Sequence, residues 1–148
     1  MTRIPLTPLL VAAFLALPAP AQEVQEPATL IILPAEDVDL AAFLWTDRVL
    51  AVFADTPADP RFIKQMQMIR ERPSDLIERD VVVITDTEPG ARTAARQALR
   101  PRGFTLVLVD KDGEVKLRKP SHWQTRDIAR SIDKTPLRLD EIRERSAP

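Results

Sequence analysis

The chain of 148 residues contains no cysteine and no tyrosine, and its only histidine is His122. Without thiols there is no disulfide, no thiolate nucleophile, no thiol–disulfide exchange and no cysteine-ligated metal. One imidazole also shortens the list of general acids and bases, and it builds a zinc site only where several carboxylates converge on it. The sequence therefore excludes thiol redox chemistry, and we expect neither a metal nor a cofactor.

The chain also lacks an apolar run of the roughly 20 residues that a bilayer-spanning helix needs. Its most apolar segment, Leu9–Leu17, follows Arg3 and precedes the small-x-small sequence Ala19-Pro20-Ala21. This arrangement is typical of a bacterial secretion signal. We expect a signal peptide over residues 1–21, cleavage after Ala21, a periplasmic or secreted product, and no stable membrane anchor after cleavage.

The chain also has almost no net charge, because its 21 lysines and arginines nearly balance its 22 aspartates and glutamates. A nearly neutral chain argues against a nucleic-acid partner held by bulk charge. Its length after cleavage suits one domain. We expect an exported, partly flexible segment over residues 22–38 and a single domain over residues 39–148.

Three continuous apolar runs, Val49–Phe53, Val81–Ile84 and Phe104–Val109, predict strands that are buried on both faces. A helical pattern joins the first two runs, which indicates a right-handed parallel crossover between them. The turn sequence Asp110–Gly113 and the alternating Glu114–Arg118 then predict a hairpin that ends in an edge strand. We expect an α/β, thioredoxin-like fold with a central mixed sheet of about four to five strands and helices on both faces.

Local signals predict where two helices begin. Asp59-Pro60 is typical of a helix N-cap followed by proline at the first helical position. A further helix is expected from about Ala91 to Leu99. Arginines spaced by four residues would form an exposed basic stripe along it: Arg92, Arg96 and Arg100.

Trp45 lies just ahead of the first predicted strand. We expect its side chain to pack in the core, with a cation–π or ion-pair feature involving Arg48 as the alternative.

The order of elements resembles that of thioredoxins, but both catalytic positions of that family differ here. The family's CxxC pair follows the first central strand, where this chain has Ala54–Pro60. The family's cis-proline precedes the third strand, where this chain has Phe104. The resemblance therefore implies the fold without the redox activity.

A second resemblance rests on four segments taken in order: Phe43–Leu50, Glu78–Val82, Asp110–Arg118 and Ile132–Arg138. They resemble the thioredoxin-like family described as domain of unknown function 4174, DUF4174. That family occurs in exported bacterial proteins and in some animal extracellular-matrix proteins with sushi repeats. Its last segment often has methionines beside the proline, where this chain has Thr135 and Leu137. The resemblance implies a fold and an exported location but no established activity.

Nine charged residues are candidates for binding. Asp55 lies in the loop that replaces the thiol motif, and the family resemblance suggests the other eight, for most of which internal ion pairs are the alternative. Among these, Lys116 and Arg118 on the hairpin would suit a carboxylate or phosphate, or would simply protect a solvated edge strand. The nine are Arg48, Asp55, Arg79, Asp80, Asp112, Lys116, Arg118, Asp133 and Arg138.

The sequence favours a non-redox binding or interaction module of the cell envelope. Its partner would be an envelope protein or a small anionic ligand, bound at the former active-site end near Asp55–Asp59, Phe104 and the charged hairpin. The alternative is a thiol-independent enzyme that uses Asp, Arg and Lys at that end. A buried aspartate beside a cation in a cleft would favour the enzyme, and a flat apolar surface would favour protein binding.

Overall fold

The structure is a computed structural model that describes residues 27–148, so the expected signal peptide and residues 22–26 lie outside the described residues. Within 27–148, none of the helices has the length and apolarity needed to cross a membrane. The strands are β1 (Ile32–Pro34), β2 (Arg48–Phe53), β3 (Val81–Asp86), β4 (Thr105–Val109) and β5 (Val115–Lys119). The helices are α1 (Pro60–Glu71), α2 (Pro73–Ile77), α3 (Ala94–Leu99), α4 (Thr125–Ile132) and α5 (Pro136–Ser146), and 3₁₀ turns cover Ala35–Asp37, Leu40–Phe43 and Pro89–Ala91.

The five strands form one mixed sheet in the order β1-β3-β2-β4-β5. Strands β1, β3 and β2 are parallel, whereas β4 runs antiparallel to β2 and β5 antiparallel to β4. The predicted thioredoxin-like α/β fold is confirmed, with the three apolar runs side by side in the sheet. The edge strand β1 comes from residues that precede position 39.

The two faces of the sheet are covered unequally. Alternate residues of β2 point to opposite faces, so that Leu50 and Val52 pack under α1, α2 and α4. On the other face, Val49, Ala51 and Phe53 pack against α3 and the preceding 3₁₀ turns. Among residues 27–148 one short helix covers this second face, and cavities of about 870 and 340 Å³ open there.

The predicted helix start at Asp59-Pro60 is confirmed. The Asp59 Oδ1 atom accepts a hydrogen bond of 2.9 Å from the Arg61 backbone N–H, and Pro60 is the first residue of α1. The predicted hairpin is also confirmed, since the Gly113 N–H donates to the Asp110 carbonyl at 2.9 Å. Gly113 has a φ of +85°, a backbone conformation that glycine adopts without strain.

The expected basic stripe is wrong. Thr93 caps α3 through a hydrogen bond to the Arg96 N–H, so the helix begins three residues later than predicted. Arg92 and Arg100 flank the helix in left-handed backbone conformations, with φ values of 48° and 47°. Arg96, the only member within the helix, turns inward to an aspartate.

The expected core position of Trp45 is also wrong, because its side chain is 69% exposed. Its φ of 63° lies in the left-handed region, which bulky residues rarely adopt. The Trp45 backbone N–H donates to the Lys111 carbonyl at 2.8 Å, which fixes this turn and directs the indole outward.

Candidate functional site

The nine predicted binding residues are distributed over both ends of the sheet. Asp55 lies in the loop after β2, Arg118 lines a cavity on the more open face, and the Asp112 carboxylate lies 3.9 Å from the Lys116 ammonium in the β4–β5 hairpin. The remaining five meet where β2 and β3 begin. Together with Asp110, Lys111 and Glu141 they form what we call the ion network: Arg48, Arg79, Asp80, Asp133 and Arg138.

Arg48 is at the centre of the ion network and is completely buried. Its Nε lies 2.9 Å from Asp110 Oδ1, and one terminal nitrogen lies 3.1 Å from Glu141 Oε1. The other terminal nitrogen donates to the Arg79 carbonyl at 2.9 Å. Because an unpaired buried cation is costly, these contacts make Arg48 and its two carboxylates mutually dependent.

Glu141 brings α5 to the network. Its carboxylate lies 2.9 Å from the Lys111 ammonium and 3.1 Å from the Arg138 guanidinium, in addition to Arg48. Burial opposes ionisation of Glu141, but the hydrogen bonds from Lys111, Arg48 and Arg138 outweigh it and lower the pKa of this carboxyl to about 2. Glu141 is therefore a permanent anion at neutral pH.

A paired guanidinium–carboxylate contact extends the network to α4. Two nitrogens of Arg79 donate to the two oxygens of Asp133, each at 2.8 Å. The Arg79 hydrogen bond lowers the pKa of Asp133 below its usual value. Asp80 similarly lies 2.8 Å from Lys111. The charges in the network are thus balanced by one another.

At the former active-site end, the position of the thioredoxin cis-proline is packed rather than open, whereas residues 55–58 are exposed. Phe104, at the position of the thioredoxin cis-proline, is buried, and the Arg61 guanidinium lies 5.6 Å from its ring centroid. Arg61 is in turn paired with Asp59 at 2.9 Å. The sequence predicted that the charged hairpin lies near this end. Its turn does not, because the five residues of β4, about 17 Å, separate the two.

Sequence reasoning missed a buried pair beside this end. Asp86, the last residue of β3, accepts hydrogen bonds from Arg96 at 2.8 Å and from Thr93 at 2.6 Å. Burial opposes its ionisation, but these donors and the Glu88 N–H outweigh burial and lower the pKa of Asp86. Asp86 and Thr93 line a small cavity of about 160 Å³. The available signal was the position of Asp86 just after the buried apolar run Val81–Ile84.

A cavity of about 870 Å³ opens on the less covered face of the sheet. Three arginines line it, and we call it the arginine pocket: Arg100, Arg102 and Arg118, with Gln97 and Thr105. No acidic residue lines it, and none of its arginines forms an ion pair within residues 27–148.

Local structure places each of these arginines. Arg118 lies on β5 opposite Val107, and therefore on the face covered by α3. Arg100 ends α3 in the left-handed conformation that glycine usually supplies. The backbone N–H and C=O of Arg102 both bond to the Thr105 hydroxyl, at 3.3 and 3.2 Å. Of these three arginines, the sequence predicts a binding role for Arg118 alone. It places Arg100 in the basic stripe, and it indicates no role for Arg102.

The chemistry open to the pocket follows from these groups. Guanidinium groups present paired N–H donors that match carboxylate and phosphate oxygens. For the described part of the chain, no cluster of three or more His, Asp or Glu side chains could hold a metal ion. The pocket is suited to an anion.

Solved structures similar to this one have the thioredoxin and peroxiredoxin folds. A chloroplastic thioredoxin z matches with a TM-score of 0.55 and 15% identity over 74% of this chain and 99% of its own. The reduced 2-Cys peroxiredoxin of Plasmodium vivax matches with a TM-score of 0.54 and 13% identity over 73% of this chain and 85% of its own. At these identities the likeness shows the fold alone.

No curated protein matches the chain. The family model described as "Domain of unknown function (DUF4174)" matches residues 39–141, which include every member of the ion network and of the arginine pocket. Both the match and the fold agree with the resemblance seen in the sequence. The chain therefore belongs to the DUF4174 family, a domain of unknown function with a thioredoxin-like fold.

Proposed function

We propose that this chain is an exported, non-redox binding module of the cell envelope and that it holds a small anionic ligand in the arginine pocket. The observation that carries the proposal is the charge of that pocket: three arginines line about 870 Å³, and none of the described residues that line it is acidic. Like charges that share a cavity repel one another, and a bound anion relieves that repulsion. Carboxylate and phosphate are the ligand groups that guanidinium binds best.

The rest of the charge distribution supports a small ligand over a polyanion. The chain has 21 basic and 22 acidic residues, so the pocket is a local excess on a nearly neutral molecule. In the ion network, by contrast, each cation already has a carboxylate partner. A ligand that needs only a few guanidinium groups suits this pattern.

The binding proposal is tested by calorimetric titration with inorganic phosphate and with succinate. R102Q and R118Q should each weaken binding by about tenfold, because each removes a charge-assisted hydrogen bond worth about 1.5 kcal/mol. R70Q is the matched control, since Arg70 is exposed on α1 and outside the pocket. Equal affinities for wild type, R102Q and R118Q would contradict the proposal.

The export part of the proposal is supported by the apolar Leu9–Leu17, the basic Arg3 and the small residues before Gln22. Expression in a bacterium followed by N-terminal sequencing of the periplasmic fraction tests it. We expect the mature protein to begin at Gln22. Retention of Met1 or Thr2 in a cytoplasmic product would argue against export.

A thiol-independent enzyme is the second candidate, and the observation that favours it is Asp86, which lines a cavity and is paired with Arg96. It ranks second because Thr93, Arg96 and the Glu88 N–H already occupy the Asp86 oxygens. Nitrophenyl phosphate and nitrophenyl acetate are suitable reporter substrates. Turnover that falls in a folded D86N variant would support this candidate, and no turnover by the wild type would remove it.

A further inference from the structure

We propose that the arginine pocket is the basic end of a longer groove whose ligand is a short apolar peptide with free amino and carboxyl ends. The inference rests on the proposed function, because the carboxylate of the peptide would bind in the arginine pocket. It adds a second cavity and an acidic end. The second cavity, which we call the apolar cavity, has a volume of about 340 Å³.

The two cavities adjoin on one face of the sheet. Ala98 and Leu99 of α3 line both of them. On β5, Arg118 lies opposite Val107 and Val115 lies opposite Val109, and both partners belong to the core on the α3 side. A bulge in the pairing brings Val115 to the same face as Arg118. One extended ligand can therefore follow β5 from the arginine pocket into the apolar cavity.

The apolar cavity has uncovered hydrophobic surface. Leu44 and Val115 line it and remain 42% and 44% exposed. Leu99 and Val109 form the floor beneath them. Side chains of an apolar peptide would remove this surface from water, which favours binding by about 25 cal/mol per Å².

The far end of the groove is acidic. Asp47 lines the apolar cavity and forms no ion pair within the described residues. Asp110 lines it too, and its buried Oδ2 atom has no hydrogen-bond donor in the part of the chain that the structure describes. Because the Asp110 charge is paired with Arg48, the groove is thus positive at one end, apolar between, and negative at Asp47. A zwitterionic peptide has the complementary order, whereas an acyl-chain anion would place its methyl end against Asp47.

The length of the groove sets the size of the peptide. Arg118 and Val115 are three positions apart on one strand, about 10 Å at 3.3 Å per residue. An extended peptide of three or four residues spans that distance between its termini. Its carboxylate would reach the arginine pocket while its amino group lies near Asp47.

The test measures dissociation constants for synthetic valyl-leucyl-valine in three forms: unmodified, amidated at the carboxyl end, and acetylated at the amino end. Amidation should weaken binding at least tenfold and acetylation about threefold, because each cap removes one terminal charge. R118Q should abolish the effect of amidation, and D47N should abolish the effect of acetylation. R70Q should change neither.

Decanoate serves as the acyl-chain probe. Tighter binding of decanoate than of the peptide, or an acetylation effect that persists in D47N, would overturn the peptide assignment. Failure of the peptide to bind while phosphate and succinate still bind in an Arg118-dependent way would overturn it too, yet leave the anion-binding proposal standing. If the peptide, decanoate, phosphate and succinate all fail to bind, both the peptide assignment and the anion-binding proposal are wrong.

Discussion

The ion network and the arginine pocket use the same kinds of residue in opposite ways. Arg48 and Arg79 each have a carboxylate within 2.9 Å, and removing either partner leaves an unpaired charge in or near the core. Arg102 and Arg118 line a cavity without an acidic residue. We therefore propose that a basic residue in this fold contributes to stability where the chain supplies its counter-ion and to binding where the chain supplies none. The following predictions test that division, from the largest expected effect on stability to the smallest.

Arg48→Met should have the largest effect. It leaves Asp110 without its buried cation and removes one of the three cations that contact Glu141, and breaking a buried ion pair costs about 3–5 kcal/mol of unfolding free energy. Urea denaturation followed by circular dichroism measures the loss. A loss below about 1 kcal/mol would mean that the buried guanidinium is not an anchor of the fold.

Glu141→Gln should cost about 3 kcal/mol at neutral pH, because the carboxyl pKa falls from 4.5 to about 2 on folding. The native state favours the ionised form, so this stabilisation is fully present above pH 4.5 and is lost as the pH falls through 2. The difference between wild type and E141Q in urea denaturation should shrink over that window. A difference independent of pH would contradict the assigned ionisation.

The Arg79–Asp133 pair should show a smaller coupling. Because Asp133 is about one-third exposed, solvent screens the pair, and a double-mutant cycle with R79Q and D133N should give about 1 kcal/mol. The same urea titrations measure it. If the losses of unfolding free energy from R79Q and D133N simply add in the double variant, this contact does not stabilise the protein.

Arg118→Gln should change the unfolding free energy least, by less than about 0.5 kcal/mol, since an exposed side chain without an ion pair is lost. Thermal denaturation without added anion measures this effect. The loss of unfolding free energy should therefore be far smaller than in R48M. A destabilisation by R118Q that matches R48M would show that the arginine pocket is structural.

The sheet and its caps could be predicted because their signals are local. Val49–Phe53 and Val81–Ile84 are apolar throughout, and a strand buried on both faces requires that composition. The N-cap at Asp59 and the turn at Gly113 depend on residues only a few positions apart. The strands, the hairpin and the mixed sheet were therefore accessible from the sequence.

The sites were less accessible because they join distant parts of the chain. Nothing near Arg48 in the sequence indicates that Glu141 is its partner or that Arg48 is the buried first residue of β2. Trp45 was misplaced because its orientation depends on a hydrogen bond to the carbonyl of Lys111. The arginine pocket likewise depends on the left-handed turn at Arg100, which no composition rule predicts for arginine.

The contact between Arg48 and Glu141 spans 93 positions of the chain. At synthesis rates of about 5–20 residues per second, roughly 5 to 20 s separate the appearance of the guanidinium from that of its final carboxylate. During this interval Asp110 is the only one of its two carboxylate partners that the central strand's first residue can meet. We therefore expect burial of this end of the sheet to be completed only when the last helix docks.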